Sequence, residues 1–138
     1  MKMSSKNSRT VKYLTPQQVL AIHDRMIKRF GGSHGLRDIG LLESAVFRPQ
    51  ASFDGKDLYV SVFDKAAALL QSLLKNHPFV DGNKRTALTS AGIFLKINGY
   101  TLINTHEEEV AFAVSVDNGH LPLEQIASWL KKNALRKR

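Results

Sequence analysis

The stretch that decides the fold is His77-Pro78-Phe79-Val80-Asp81-Gly82-Asn83-Lys84-Arg85-Thr86-Ala87-Leu88, which lies between two apolar segments. Pro78 removes a backbone donor and disfavours helical geometry at the residue before it, so no continuous helix is expected to pass through. The dense apolar positions between Val60 and Lys75 predict a largely buried helix, and those from Ala87 to Ile97 predict another. The stretch is therefore expected to be a loop that joins two core helices.

This loop combines residue types that suit phosphate chemistry. His77 can move a proton near neutral pH and take one from an attacking hydroxyl, and the Asp81 carboxylate suits Mg²⁺. The glycine and asparagine that follow can turn the chain into a helix N-terminus, where unpaired N–H groups and partial positive charge favour a di- or triphosphate. The expected phosphate contacts are Gly82, Asn83, Lys84 and Arg85.

Each of these residues also has an ordinary structural interpretation. A single histidine is usually structural or solvent-facing, an Asp-Gly-Asn run is usually a turn, and Lys-Arg at a helix start is usually solvated. A nucleotide-binding P-loop is excluded, because the preceding strand, the earlier glycine and the Gly-Lys-Ser/Thr order are missing. The remaining histidines have no metal-like spacing and are interpreted as structural or surface residues: His23, His34, His106 and His120.

Helix signals around the loop predict an all-α fold. Each expected helix starts with a capping residue or a proline, and Gly31-Gly32, Asn98-Gly99 and Asn118-Gly119 are expected ends. The expected starts are Thr15-Pro16, Asp38, Thr105 and Pro122. Asp54-Gly55 is a turn signal, so we expect at most a small β-hairpin at 50–59, just before the first core helix.

Composition bounds the class of protein. The 138 residues, 43% of them apolar, fit one domain, and the absence of cysteine excludes disulfides and thiolate zinc sites. No segment is long and apolar enough for a signal peptide or a membrane span, so we expect a cytoplasmic protein. Nine of the 20 Lys and Arg residues lie in 1–13 and 131–138, which contain no acid, whereas the remainder has 11 cations against 12 acids. We therefore divide the chain into a basic N-terminal segment (1–13), a catalytic domain (14–130) and a basic tail (131–138), with specific nucleic-acid binding not expected.

The stretch from His77 to Arg85 resembles the signature of the Fic/Doc superfamily, in its death-on-curing (Doc) branch. Residues 36–49 and 94–100 also resemble that branch, so the similarity covers most of residues 14–130. It implies a helical bundle with the motif between two core helices and, at residues 50–59, a flap that positions a protein target. It further implies His77 as general base, Asp81 as magnesium ligand and phosphate contacts at Gly82, Asn83, Lys84 and Arg85.

Two departures from the AMP-transferring members of that superfamily indicate the reaction. Lys84 stands where those enzymes have a second glycine, and Leu88 stands where they have a second arginine. In the Doc branch this change accompanies an inverted nucleotide and transfer of the γ-phosphate of ATP. The resemblance therefore implies a kinase-like toxin whose target is a threonine of elongation factor Tu. AMP transfer, and a non-catalytic binding module that acts through its partner or its basic ends, remain the alternatives.

The resemblance also bears on regulation. Many Fic proteins restrain themselves with a helix that carries Ser/Thr-x-x-x-Glu-Gly/Asn, but no glutamate of this sequence is followed by Gly or Asn. Restraint is therefore expected in trans, from a Phd-like, partly disordered antitoxin that folds as it binds.

Overall fold

The computed structural model describes residues 10–137, and four of the helices in that range begin at the predicted starts, Thr15, Asp38, Thr105 and Pro122. The helices are α1 (Pro16–Phe30), α2 (Ile39–Phe47), α3 (Val62–Asn76), α4 (Asn83–Ile97), α5 (His106–Gly119) and α6 (Leu123–Lys132). The strands are β1 (Ser52–Phe53), β2 (Lys56–Asp57), β3 (Tyr100–Leu102) and β4 (Ala134–Arg136). Thr15, Ser61 and Thr105 each form a capping box, which satisfies N–H groups that a helix start leaves unpaired. The expected all-α fold is confirmed.

Helix α3 is the centre of the core. It packs against α2, α4, α5 and α6, and its leucines Leu69, Leu70 and Leu73 are fully buried. Burial of one such side chain contributes about 1.5–3 kcal/mol, so this helix makes a rigid base for whatever follows its C-terminus. Within residues 10–137, none of the helices has the length and apolarity that a bilayer span requires.

The break between α3 and α4 lies where the sequence predicts it. α3 ends at Asn76, and His77 adopts the left-handed conformation with φ of 47°. α4 begins at Asn83, directly after Gly82, whose φ of 76° favours a residue without a side chain. A Cβ atom at Gly82 would also lie 3.0 Å from Cδ1 of Ile27. The six-residue loop is therefore fixed at both ends by backbone geometry.

The predicted hairpin is present and is tied to the core. β1 and β2 pair in antiparallel register, and Asp54 and Gly55 both have positive φ, as a tight two-residue turn requires. The buried ammonium of Lys65 on α3 lies 3.1 Å from Asp57 Oδ2 and donates to the Tyr59 carbonyl at 2.6 Å. This anchor holds the base of the hairpin against α3. The whole segment, residues 51–59, is called the flap below.

A second ribbon was not predicted. β3 pairs with β4 in antiparallel register, with Tyr100 opposite Arg136 and Leu102 opposite Ala134. Strands of three residues give little local signal, and the partners here are more than 30 residues apart. Residues 134–136, which the sequence analysis places in a basic tail, therefore form part of a β-ribbon. Residues 1–9 and 138 lie outside the described range, and the division into domains stays a prediction.

Candidate active site

Arg37 clamps the start of the motif loop. Its Nε donates to the carbonyl of His77 and its Nη2 to the carbonyl of Asn76, each at 2.7 Å. Its backbone N–H donates to the carbonyl of Pro78, also at 2.7 Å. These acceptors include carbonyls that the end of α3 would otherwise leave unpaired. Arg37 thus fixes the backbone that carries the imidazole, without using the imidazole itself.

Asn83 holds the loop from inside. Its Oδ1 accepts the Phe79 N–H at 3.1 Å, its Nδ2 donates to the Phe79 carbonyl at 2.9 Å, and the residue is 8% exposed. Its amide is therefore occupied within the loop. The buried loop needs those hydrogen bonds, and the expected phosphate contact at Asn83 stays a prediction. Its backbone N–H is still at the open start of α4.

The side chain of His77 is exposed, as are those of Val80 and Asp81 in the same loop. The Nδ1 of His77 lies 3.3 Å from Asn83 Nδ2, which is at the long end for a hydrogen bond. Such a contact orients the ring weakly, and a substrate hydroxyl can replace it when it binds. The structure therefore leaves His77 accessible while its backbone is held.

The Asp81 carboxylate is oriented by backbone donors from two segments. Oδ2 accepts the Ser33 N–H at 3.1 Å and Oδ1 accepts the Gly82 N–H at 2.8 Å, and these two hydrogen bonds, in that order, lower the pKa of the carboxyl. A Cβ atom at Gly32 would lie 2.8 Å from Oδ2, so only glycine lets the chain after α1 come this close. Asp81 is therefore an ionised, fixed carboxylate beside the start of α4.

A single fixed carboxylate fits Mg²⁺, which commonly takes one or two carboxylates together with phosphate oxygens and waters. Within residues 10–137, no group of three or more His, Asp or Glu side chains could hold a metal by itself. Each oxygen of Asp81 accepts one backbone hydrogen bond and keeps lone-pair capacity for a cation. The site suits a metal that arrives together with a nucleotide.

His23 supports the loop from below. Its ring stacks on Phe79 with centroids 3.8 Å apart, and its Nε2 lies 2.8 Å from the Asp81 carbonyl oxygen. His23 and Phe79 are both buried. The interpretation of His23 as a structural residue agrees with this position.

The first turn of α4 offers its backbone donors to the loop. Thr86 N–H makes the first hydrogen bond of the helix, to the Gly82 carbonyl at 3.0 Å. The N–H groups of the three residues before it have no acceptor within the helix. They point along the helix axis, where the partial positive charge of the dipole adds to them. This turn is therefore the anion-binding element of the candidate site.

The two cations of the motif point to different neighbours. Lys84 Nζ lies 3.3 Å from Asp117 Oδ2 near the end of α5. The guanidinium of Arg85 lies 4.5 Å from the ring centre of Phe30, and among the described residues its Nε has no hydrogen-bond partner. The sequence placed both charges at one point, but the helical turn separates them. Lys84 reaches its acid partner on the C-terminal half of α5, whereas Arg85 lies over the end of α1.

A cavity of about 240 Å³ adjoins His77. It is enclosed by α3, α5 and the residues that follow α5. Its titratable lining residues are Lys75, His77, Asp117 and His120. The cavity thus connects the exposed imidazole with the carboxylate that holds Lys84, and it has room for a small part of a substrate.

A comparison with protein families agrees with this geometry. A model described as the Fic/DOC family matches residues 13–95, which is more than half of the chain and includes the whole loop. The chain belongs to the Fic/DOC family. The prediction of this family, with its motif between two core helices, is therefore confirmed.

Two relatives of this Fic/DOC chain are Doc proteins. "Toxin Doc" of Mycolicibacterium smegmatis (strain ATCC 700084 / mc(2)155) is 60% identical over 73 residues, which are 53% of this chain and 56% of that protein. "Protein kinase doc" of Escherichia phage P1 is 31% identical over 122 residues, which are 88% of this chain and 95% of that protein. The expected similarity to Doc-type toxins is confirmed, and so is the expectation of an enzyme family.

Sequence reasoning missed several residues of the Fic/DOC site. Gly31-Gly32 was interpreted only as a helix end, and no role was given to Ser33 or Arg37, yet these two residues support Asp81 and His77. Asp117 was not singled out either. The glycine pair Gly31-Gly32, which has positive φ in the structure, indicates from sequence that the chain turns there. It does not indicate which side chain the turn approaches.

Proposed function

We propose that this Fic/DOC chain is the toxin of a toxin–antitoxin pair and that it transfers the γ-phosphate of ATP to a hydroxyl group of a protein. The observation that carries the proposal is the loop itself. It brings an accessible imidazole, an ionised carboxylate and the open first turn of α4 together on a backbone clamped by Arg37 and Asn83. The imidazole suits an acceptor hydroxyl, and the carboxylate suits a metal–nucleotide complex. The first turn of α4 suits a developing negative charge.

The proposed step begins when His77 takes the proton of the acceptor hydroxyl. The hydroxyl oxygen forms a bond to the γ-phosphorus, the bond from that phosphorus to the bridging oxygen breaks, and ADP leaves with the bonding electron pair. Charge on the transferred group is stabilised by the N–H donors of the first turn of α4 and by Lys84. General-base catalysis of this kind typically contributes 10²–10⁴-fold, and pre-positioning contributes the rest.

Asp81 is the residue that would hold Mg²⁺. When bound, the ion neutralises phosphate charge that the Asp81 carboxylate would otherwise repel. Ser33 and Gly82 keep the carboxylate ionised and oriented by hydrogen bonding. We therefore expect transfer to depend on Mg²⁺ and on Asp81 together.

Two positions favour γ-phosphate transfer over AMP transfer. A lysine at position 84 occupies space that a glycine would leave for a phosphate, and its ammonium is free to exchange Asp117 for a nucleotide oxygen at the protein surface. Leu88 is 1% exposed and faces the core, so this position supplies no second phosphate contact. The phage P1 relative, whose name is that of a protein kinase, aligns with 88% of this chain.

The flap favours a protein acceptor. Phe53 on the flap is 76% exposed, and Val60, just after it, is 78% exposed. The outer strand edges of the two-stranded ribbon are unpaired, and an extended target segment can add to such an edge by backbone hydrogen bonds. The proposed acceptor is a threonine of elongation factor Tu, whose modification would block translation.

A groove between α1, α4 and α5 suits the proposed Phd-like antitoxin. The groove has a volume of about 370 Å³, an apolar floor that includes Met26 and Leu88, and a rim that includes Arg25 and Arg29. Phe30, which carries the Arg85 guanidinium, also lines it. An acidic amphipathic segment that is disordered when free fits an apolar floor with a cationic rim. Such a segment would also come close to Arg85 of the motif.

The test is a transfer assay on purified elongation factor Tu with Mg²⁺, run in parallel with γ-labelled and α-labelled ATP. We expect label from the γ position only, and loss of label when the antitoxin or EDTA is added. Label from the α position would mean AMP transfer, and absence of label from both, on this target and on a whole-cell extract, would favour the non-catalytic binding module. Asp81→Asn is the matched loss-of-metal variant, and Asp38→Asn, which changes the cap of α2, is its control.

A further inference from the structure

Lys12 and Lys137, one from each basic run of the sequence, are held at the same turn of the fold. The backbone N–H of Lys12 donates to Asn98 Oδ1 at 2.9 Å, and Asn98 Nδ2 donates to the Lys12 carbonyl at 2.9 Å. From the other end, the Lys137 N–H donates to the Gly99 carbonyl at 2.7 Å. Both residues are therefore attached to the turn that follows α4. They are 125 positions apart in the sequence, but the structure makes them neighbours.

A groove of about 790 Å³ lies between these ends, and we call it the basic groove. Its charged lining residues are Lys12, Arg136 and Lys137, and its lining contains no Asp or Glu. All three side chains are exposed, and within residues 10–137 none of them forms a salt bridge. In sequence, the chain leads away from the groove through further cations and no acid: Lys2, Lys6, Arg9 and Arg138.

The helix dipole does not account for this concentration of charge. A cation within the last turn of α4, such as Lys96, is favoured by the partial negative charge there, by about 0.3–1 kcal/mol. Arg136 and Lys137 belong to β4 and the residue after it, and Lys12 precedes α1, so none of them lies in a helix turn. Unpaired cations that repel one another have a cost unless an external anion neutralises them.

The groove offers little to a protein partner. Protein interfaces usually have a buried aromatic or arginine anchor in an apolar pocket at their centre. The aromatic residue of this groove is Tyr100, and its ring is already packed edge-on against Phe63, with centroids 4.8 Å apart. A single aromatic ring that is engaged in this way is a poor platform for a run of stacked, unpaired bases. A regular array of phosphates remains the best complement.

We propose that the basic groove binds the phosphate backbone of double-stranded nucleic acid without regard to base sequence. The groove lies at the C-terminal end of α4, about 20 Å along the helix from the motif loop at a rise of 1.5 Å per residue. Nucleic acid and a nucleotide can therefore be bound at the same time. The inference does not depend on the proposed phosphate transfer, because none of the residues that carry it belongs to the motif.

The test compares two triple variants of the full chain that lose the same charge. Lys12→Gln/Arg136→Gln/Lys137→Gln neutralises the groove and leaves its backbone hydrogen bonds in place. Arg25→Gln/Lys28→Gln/Lys56→Gln neutralises three exposed cations outside the groove. Binding to a labelled 20-base-pair duplex DNA of random sequence is measured by fluorescence anisotropy from 25 to 200 mM salt, and circular dichroism verifies the fold of each variant.

We expect the logarithm of the association constant for the duplex to fall linearly with the logarithm of the salt concentration. The groove variant should lose at least about tenfold in affinity and about three units of salt slope, since each phosphate contact contributes about 0.9 to the slope for duplex DNA. The control variant should stay within threefold of the unmodified chain. Equal losses in both variants, absence of binding at 25 mM salt, or binding to poly-L-glutamate as tight as to DNA would each overturn the proposal.

Discussion

The two ends of α4 carry similar charges but have different backbones. At the N-terminal end, Lys84 and Arg85 surround a first turn whose N–H groups have no helical acceptor. At the C-terminal end, the side chain of Asn98 and the backbone of Lys137 satisfy the turn with hydrogen bonds. Cations alone can attract an anion, but open donors held at fixed positions can also stabilise a transition state. For this reason we propose catalysis at the first end and electrostatic binding at the second.

An asparagine organises each end in the same way. Asn83 bonds the loop before the helix, through the N–H and carbonyl of Phe79. Asn98 forms hydrogen bonds with the N–H and the carbonyl of Lys12, which lies beside the end of α4. It also donates to the Phe94 carbonyl at 2.8 Å. The first asparagine shapes a loop that carries reactive groups, and the second attaches a chain end. The predictions below test whether this difference is functional.

The largest effect is expected for His77→Ala at the N-terminal end. Loss of the proposed general base should lower the transfer rate by about 10²–10⁴-fold, while the fold persists because the His77 side chain is exposed. The measurement is initial-rate phosphate transfer together with thermal unfolding. His34→Ala, which removes another exposed histidine, is the control. Transfer within threefold of the unmodified rate would exclude proton abstraction by His77.

The loop and the helix start at the N-terminal end of α4 were predictable, because their sequence signals are local. Pro78, Gly82 and the apolar runs on either side all lie between Val60 and Ile97, and they determine a break, a turn and two helices. The directions of the side chains were not predictable. Asn83 turns inward, whereas Lys84 and Arg85 diverge, because each meets a neighbour from a distant part of the chain.

The contacts at the C-terminal end of α4 were not predictable either, because they join distant parts of the chain. Lys12 and Asn98 are 86 residues apart, and their hydrogen bonds depend on how α1 and α4 pack. Neither the periodicity nor the caps carry that information. The clamp by Arg37 on His77, across 40 residues, is a further case. Sequence reasoning selected residues that lie together in the loop, and it missed what holds them.

The second prediction compares Asn83→Ala with Asn98→Ala. Each change removes side-chain hydrogen bonds to backbone groups and should lower the free energy of unfolding by about 1–3 kcal/mol, with Asn83 at the upper end because its partners are buried. Transfer, measured at a temperature where both variants are folded, should fall at least tenfold for Asn83→Ala. It should stay within twofold for Asn98→Ala.

Equal losses of transfer in these two variants would contradict the assigned difference, since they would show that stability alone limits activity. Denaturation in urea with unchanged m-values is needed to compare the two free energies on one scale. Asn98→Ala should in addition weaken duplex DNA binding, because it detaches Lys12 from the basic groove.

The third prediction concerns the ion pair of Lys84 with Asp117. A partly exposed pair is worth about 0.2–1 kcal/mol, so Asp117 competes only modestly with phosphate for the ammonium. Asp117→Asn should therefore lower the KM for ATP by about 1.5- to 5-fold and leave kcat within twofold. In a Lys84→Met background the same change should have no effect on KM. A raised KM in Asp117→Asn would instead make Asp117 a residue that orients Lys84.

The smallest effect is the dependence of stability on pH that His106 contributes beside the N-terminal end of α4. Burial, followed by the charges of Arg85 and Arg29, lowers the pKa of His106, whose ring stacks on Phe30. The folded state therefore binds a proton at His106 less readily than the unfolded state. Stability is present above the ordinary histidine value of 6.5 and is lost as pH falls through 6.5 toward the folded pKa.

His106→Gln should reduce this loss. The free energy of unfolding is measured at pH 7 and pH 5.5, and the decrease between the two should be smaller in His106→Gln than in the unmodified chain. His120→Gln, which changes an exposed histidine at the opposite end of α5, should leave the decrease unchanged. A decrease that is the same in all three proteins would mean that Arg85 and His106 are too far from one another, or too well solvated, to be coupled. The stack of Arg85, Phe30 and His106 would then hold the cation by packing alone.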